Sequence, residues 1–257
     1  MNMDEYFDYL AHQVRNREVF FLNFVSDFRT FGLVFDSLRR AWEPLGSKRG
    51  ISGESHAGLL LFSNILIRHT LLGFQHITSY QSFLAWLTFR PGLEALLVIG
   101  KLVDSPKNAA IWKNRQNDWK KYSKTFSGSA LESRSLPLSA DFRQVLSRLN
   151  DDFMHPNPDF AYREATQKDE GKTVLLEIQF FDTDADVHEA HLLAYLNLLR
   201  LMAEASEALV GNLCGPSPLS QAARSGFSER EDIRAKQLAD RNALAKKILE
   251  ELGLWKF

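Results

Sequence analysis

The sequence predicts a mainly α protein: a multi-helix bundle with one β-hairpin inserted before its last core helix. Three observations predict it. Phe20, Phe24, Phe28, Phe31, Phe35 and Leu38 recur at the three-to-four spacing of a helical stripe. Residues 57–77 (AGLLLFSNILIRHTLLGFQHI) and 80–103 are apolar runs with the length of core helices. Only 160–166 and 173–181 lean toward strand, and Asp169-Glu170-Gly171 between them supplies turn chemistry.

Each element follows in order. A long helix is expected over 4–42, with a break near Asn16, and the turn formers in 43–53 read as a loop. A second helix covers 54–79. A third covers 80–103, where the interior Pro91 demands a kink or a junction of two helices. Asp104-Ser105-Pro106 stops one helix and starts the next, which runs amphipathic and basic over 107–126. A Ser-rich loop at 127–137 leads to a helix capped by Ser139 and ended at His155, because Pro156 disfavours α geometry before it. After the hairpin, at about 160–181, Asp182-Thr183 caps a helix to Cys214 with Leu192, Leu196, Leu199, Met202, Ala203 and Leu209 on one side. Gly215-Pro-Ser-Pro218 ends it, and 228–252 forms a charged helix with a thin apolar edge at Leu238, Leu244, Ile248 and Leu252. Residues 1–53 supply a long helix and loop, 54–214 the core, and 215–257 a linker and outer helix, all of one globular domain.

Composition narrows the function. Lys plus Arg number 31 against 32 Asp plus Glu, which argues against a protein that coats nucleic acid through a strong positive field, though a local basic patch remains compatible. The single Cys214 rules out an internal disulfide framework and a cysteine-built zinc site, and fits a reducing cytoplasm. The acidic N-terminus does not read as a signal peptide. Residues 57–77 are long enough to span a bilayer, but Arg68 and His69 at the centre cost about 2.5–3.5 kcal/mol per charge there, so a core helix is the preferred reading.

The most informative stretch is Arg148-Leu-Asn-Asp-Asp-Phe-Met-His155-Pro156-Asn157. Arg148 and His155 stand seven residues apart, close to two helical turns, so both project from one face. Asn150, Asp151 and Asp152 lie beside them. As a bare pattern, a surface pairing of Arg148 with Asp151 or Asp152, and a helix-capping His155, is the commoner origin. Arg90 and Glu94 are spaced for an i, i+4 pair, suited to an ion pair joining helices. Arg68, His69 and His76 share roughly one side of the preceding helix and would complete either a polar network centred on Glu94, the preferred reading, or a ligand pocket.

Two further patterns stand beside these. Asp184, His188 and His191 fall at i, i+4 and i+7, where two imidazoles and a carboxylate suit a divalent metal; acids at a helix N-terminus are the commoner reading, and no metal or cofactor is expected. Residues 113–124 interleave bases with Trp112, Trp119 and Tyr122, a composition that tracks single-stranded RNA. The preferred reading is an amphipathic helix with its aromatics in the core and its lysines solvated.

The order of elements carries a resemblance. A long apolar helix, a helix bearing Arg90-Pro-Gly-Leu-Glu94, a helix ending in His155-Pro156-Asn157, a hairpin and a Leu-rich helix together resemble uncharacterised bacterial helical proteins related to the HEPN superfamily, over roughly 54–212. That resemblance implies a small, often dimeric helical bundle, and in many members a metal-independent ribonuclease with an Arg-x4–6-His motif. Here the motif maps to Arg148 and His155; position 149 is Leu where the superfamily prefers a polar residue, with Asn150 following. It further implies RNA as substrate or ligand and a toxin or phage-defence setting. On the resemblance, His155 moves a proton at the ribose 2′-hydroxyl or the leaving oxygen, Arg148 holds the scissile phosphate, and Asn150 or Asp151 orients the imidazole. The alternative is a non-catalytic interaction protein whose outer helices, 6–42 and 230–252, pack on a partner.

Overall fold

In the computed structural model, residues 3–47, 53–153, 165–169, 174–178, 181–214 and 250 are described, and they are mainly α-helical. The N-terminal stripe forms α1 (Met3–Asn23) and α2 (Val25–Ala41). The break falls at Phe24 (φ −122, ψ 32), not near Asn16. Phe24 N still donates to Phe20 O at 2.8 Å, and Phe28 N to Phe24 O at 2.9 Å, so the hydrogen-bond ladder runs through it. One side of the stripe is core: Phe20, Phe31, Val34 and Leu38 are buried, and the Phe31 ring lies on Phe74 with centroids 3.6 Å apart. The expected loop begins instead with a short helix, α3 (Glu43–Ser47), which seats Leu45 in the core.

α4 (Gly53–Ile77) and α5 (Ser82–Asp104) are the bundle's central antiparallel pair. Glycines set their distance. A Cβ at Gly58 would meet Leu102 at 3.0 Å, one at Gly73 the Ala85 carbonyl oxygen at 3.1 Å, and one at Gly92 the His69 Cβ at 3.2 Å. α5 stays one helix through Pro91. Packing explains that: the helix is buried on both sides of the proline, at Phe89 and Leu93, and Gly92 holds it against α4. Both helices are long and apolar enough to cross a membrane by length and composition alone, features that a bundle's core helices share. The turn between them places Tyr80 in the left-handed region (φ 58).

The basic segment divides into α6 (Pro106–Lys113) and α7 (Trp119–Phe126). Local polar chemistry explains the division: Asn117 Nδ2 donates to Asn114 Oδ1 at 2.7 Å, and Asp118 Oδ1 caps α7 by accepting from Lys121 N at 3.0 Å. The Ser-rich segment after it contains a 3-10 turn (Gly128–Leu131) and is tied down by Asp104, whose carboxylate accepts from Ser133 Oγ (2.9 Å), Arg134 N (3.1 Å) and Ser135 N (2.9 Å).

α8 (Ser139–Phe153) packs on α5 through Phe142, Val145, Leu146 and Leu149. Ser139 is not its cap; its hydroxyl accepts from Ser133 N at 2.7 Å. Strands β1 (Ala165–Asp169) and β2 (Val174–Ile178) pair antiparallel, from Ala165↔Ile178 to Asp169↔Val174, with Asp169 in the strand rather than the turn; the other residues expected in the hairpin, apart from Phe181, lie outside the described residues. The last described helix, α9 (Ala185–Cys214), is capped by Asp184 rather than Asp182-Thr183: Asp184 Oδ1 accepts from Asp186 N at 2.9 Å and Val187 N at 3.1 Å. Leu192, Leu196, Leu199, Met202, Ala203 and Leu209 are buried, as the periodicity predicts. The expected tail helix lies outside the described residues apart from Glu250.

Candidate functional site

The site begins where α5 meets α8. Arg90 is half-buried on α5, one residue before the proline; its Nη1 lies 3.2 Å from Glu94 Oε2, one turn on. Its Nε donates across the interface to Asn150 Oδ1 on α8. The guanidinium fork thus serves two partners on two helices, a geometry that a lysine ammonium does not reproduce. Leu149 between Arg148 and Asn150 is fully buried, which fixes the rotation of α8 and turns its neighbours outward on either side. Arg148 is half-buried, and its Nη1 donates to the backbone carbonyl of Glu250 at 3.3 Å. Asp151 is exposed. His155 lies outside the described residues.

The charge of Glu94 is also felt at Tyr122 on α7. The Tyr122 hydroxyl has its pKa raised, first by burial and then by the negative charge of Glu94, with Arg115 acting in the opposite sense. Arg115 itself lies over the Trp112 ring, 4.6 Å from its centroid. Arg90, Glu94 and Asn150 are the residues joined directly, across α5 and α8.

The other expected partners of Glu94 turn elsewhere. His69 Nδ1 donates to Thr88 O of α5 at 2.8 Å, a helix-to-helix tie beside Gly92. His76 Nδ1 lies 3.2 Å from Gln81 Oε1, within a network in which Gln81 Nε2 donates to the Tyr9 hydroxyl at 2.7 Å and Gln13 Nε2 to Gln81 Oε1 at 3.1 Å. That network fastens α1 to the α4–α5 turn. Arg68 is exposed. The structure brings Arg90, Glu94 and Asn150 together and distributes the rest.

Asp184, His188 and His191 do not share a metal site: Asp184 caps α9, His191 Nδ1 accepts from Trp86 Nε1 at 3.0 Å, and His188 turns to Asp182. Among the described residues no three His, Cys, Asp or Glu side chains gather as metal ligands. The Asp182–His188 pair is instead a buried polar centre. Asp182 Oδ2 lies 2.7 Å from His188 Nδ1 and 2.6 Å from Ser82 Oγ, and its carboxylate also accepts from Ser82 N, the first N–H of α5. Tyr80 stacks on the imidazole at 4.0 Å, and Phe20 and Phe24 present their rings at steep angles to it. Burial pushes the Asp182 carboxyl up, but His188, Ser82 and the more distant His191 outweigh it and hold it below its ordinary value. Sequence patterning missed this partnership, since Asp182 looks like a helix cap and its partners lie at Ser82 and in the first turns of α9.

No family model, curated protein or solved structure matches the chain.

Proposed function

We propose that the chain is a HEPN-like helical protein, with its hairpin inserted between α8 and α9, that binds and cleaves RNA without a metal as a dimer in the cytoplasm, in a toxin or defence role. One observation carries it: Arg90 joins Glu94 to Asn150, so the Arg-x-x-x-Glu helix fixes the end of α8 that bears Arg148. Arg148 grips the scissile phosphate and stabilises its developing charge. His155 moves the proton: the 2′-oxygen attacks phosphorus as its proton leaves, the P–O5′ bond breaks, and the departing oxygen takes a proton. The products are a 2′,3′-cyclic phosphate and a 5′-hydroxyl end. Purified protein incubated with single-stranded RNA in the presence of a chelator tests this. Cleavage that disappears in His155→Ala and Arg148→Ala is expected; no cleavage, or cleavage undiminished in His155→Ala, overturns it.

A second reading, a non-catalytic interaction protein, has its own observation. Phe7, Val14, Phe21 and Phe28 are all exposed on α1 and α2 and stand seven residues apart, the repeat of a helix–helix seam. A second copy of the chain is the partner such a self-repeating stripe fits.

A further inference from the structure

Trp119 is two-thirds exposed (67%) at the first position of α7. An amphipathic helix with aromatics inward accounts for Phe126, which is buried, and for Tyr122, which is half-buried, but not for Trp119. The tryptophan is nonetheless held in place. Its ring packs against Tyr122 with centroids 5.2 Å apart, and Tyr122 stacks on Phe126 at 5.3 Å, so a ladder of rings runs from the core to an open indole. Around it, 107–124 carries Lys107, Lys113, Arg115, Lys120, Lys121 and Lys124 against the single acid Asp118. Glu54 occupies Lys113, and Arg115 lies on Trp112. Lys107, Lys120, Lys121 and Lys124 are exposed. Between α6 and α7 opens a cavity of about 470 Å³ with Ala110 and Ile111 in its lining and Lys107, Asn114, Lys121 and the α7-capping Asp118 around them.

An exposed ring packed on Tyr122, exposed lysines and an apolar seat between two of those lysines fit a polyanion whose units carry flat apolar faces. We propose that the α6–α7 face is a binding surface for single-stranded RNA, with a base stacked on Trp119, a neighbouring nucleotide in the α6–α7 cavity, and Lys107, Lys120, Lys121 and Lys124 on the backbone phosphates. Base–aromatic stacking tolerates any sequence, because every base has a π-face, so the surface grips a strand without reading it. This deepens the RNA reading above and rests on it, supplying a surface that grips the strand which Arg148 and His155 would cut.

The test is anisotropy of a labelled oligouridine strand with full-length His155→Ala protein, a background in which cleavage does not interfere. Trp119→Ala is expected to weaken binding about 5- to 150-fold, with most of the affinity restored in Trp119→Phe. Lys121→Ala is expected to lower the slope of log affinity against log salt by about 0.7 for the phosphate contact it loses. Circular dichroism confirms that these surface variants fold. Binding indifferent to Trp119, or oligoglutamate bound as tightly as oligouridine, overturns the proposal, the latter pointing to an acidic protein partner. The two readings fail separately: a wild-type chain that binds through Trp119 but does not cut RNA loses only the nuclease, and one that cuts RNA with no dependence on Trp119 loses only this surface.

Discussion

Asp182 and His188 are locked together at 2.7 Å inside an aromatic enclosure, and through Ser82 the same carboxylate caps the first turn of α5 from a hundred residues away. Three elements thus depend on one side chain. The turn before α5 lends Tyr80, α9 lends His188, and α1 lends Phe20, with Phe24 from the break that follows it.

Removing the carboxylate leaves the Ser82 N–H, the Ser82 hydroxyl and a fully buried imidazole without an acceptor. Asp182→Ala is therefore expected to destabilise the fold by about 3–5 kcal/mol in denaturant titration, the cost of breaking a buried pair from one side. The pH dependence has a definite sign. The folded pKa is depressed below the unfolded value of about 3.9, so the contribution is complete above that value and is lost as pH falls through the lower folded one. Stability measured from neutral pH into acid should decline less steeply in Asp182→Ala than in the wild type. An unchanged profile would refute the assignment.

Gly100→Ala should reverse the usual sign of a helical Gly→Ala change. In an open helix that substitution stabilises by about 0.5–1 kcal/mol. At Gly100 the new methyl would sit 2.7 Å from Ser133 Cβ and 2.9 Å from Leu136 Cβ, in the segment that Asp104 pins down with three hydrogen bonds. Overpacking of this kind costs about 1–3 kcal/mol. A lowered Tm is expected, and a raised one would show that the Ser133 segment gives way.

These two sites mark where sequence patterning stops. Periodicity recovers the long helices because each buries one continuous stripe, and Leu192 to Leu209 on α9 behave as their spacing predicts. It recovers the Arg90–Glu94 pair because both residues lie on one helix. It does not recover the reach of Arg90 to Asn150, or of Asp182 to Ser82, because those partners are 60 and 100 residues apart and become neighbours only when helices pack. The proline in α5 and the break at Phe24 fail for the same reason: local cost places a break at Pro91, and tertiary packing decides otherwise. Trp119 is the opposite case. Its pattern is visible in sequence, but only the fold separates it from the buried rings it resembles.

Arg90 and Asn150 should be coupled beyond the sum of their separate effects. Arg90→Lys keeps the charge but cannot serve Glu94 and Asn150 with one planar group. In a double-mutant cycle of Arg90→Lys with Asn150→Ala, a coupling of about 0.5–3 kcal/mol in stability is expected for residues in contact. Under the RNA reading, each single variant should also slow cleavage, because the α8 end loses its fixed position. Additive stabilities would show that the bond across α5 and α8 contributes nothing.

Neighbouring phenylalanines on α2 should divide into two kinds. Phe31 is buried and stacked on Phe74, so Phe31→Ala is expected to cost about 3–5 kcal/mol, as cavity-forming truncations of aromatics do. Phe28 is 42% exposed, and Phe21, packed edge-on against it at 4.9 Å, is 43% exposed. Their contacts with core rings are peripheral, Phe21 to Phe20 at 6.1 Å and Phe28 to Phe74 at 6.3 Å, so charging both, as Phe21→Asp with Phe28→Asp, is expected to cost the monomer little. The expected outcome is a Tm near that of the wild type together with a shift toward monomer in sedimentation velocity, because a seam between two copies loses two of its exposed rings and gains repelling charges. A wild-type chain that sediments as a monomer at every concentration removes self-association from the α1–α2 face; a collapse of Tm in the double variant means that these rings serve the fold, as Phe31 does.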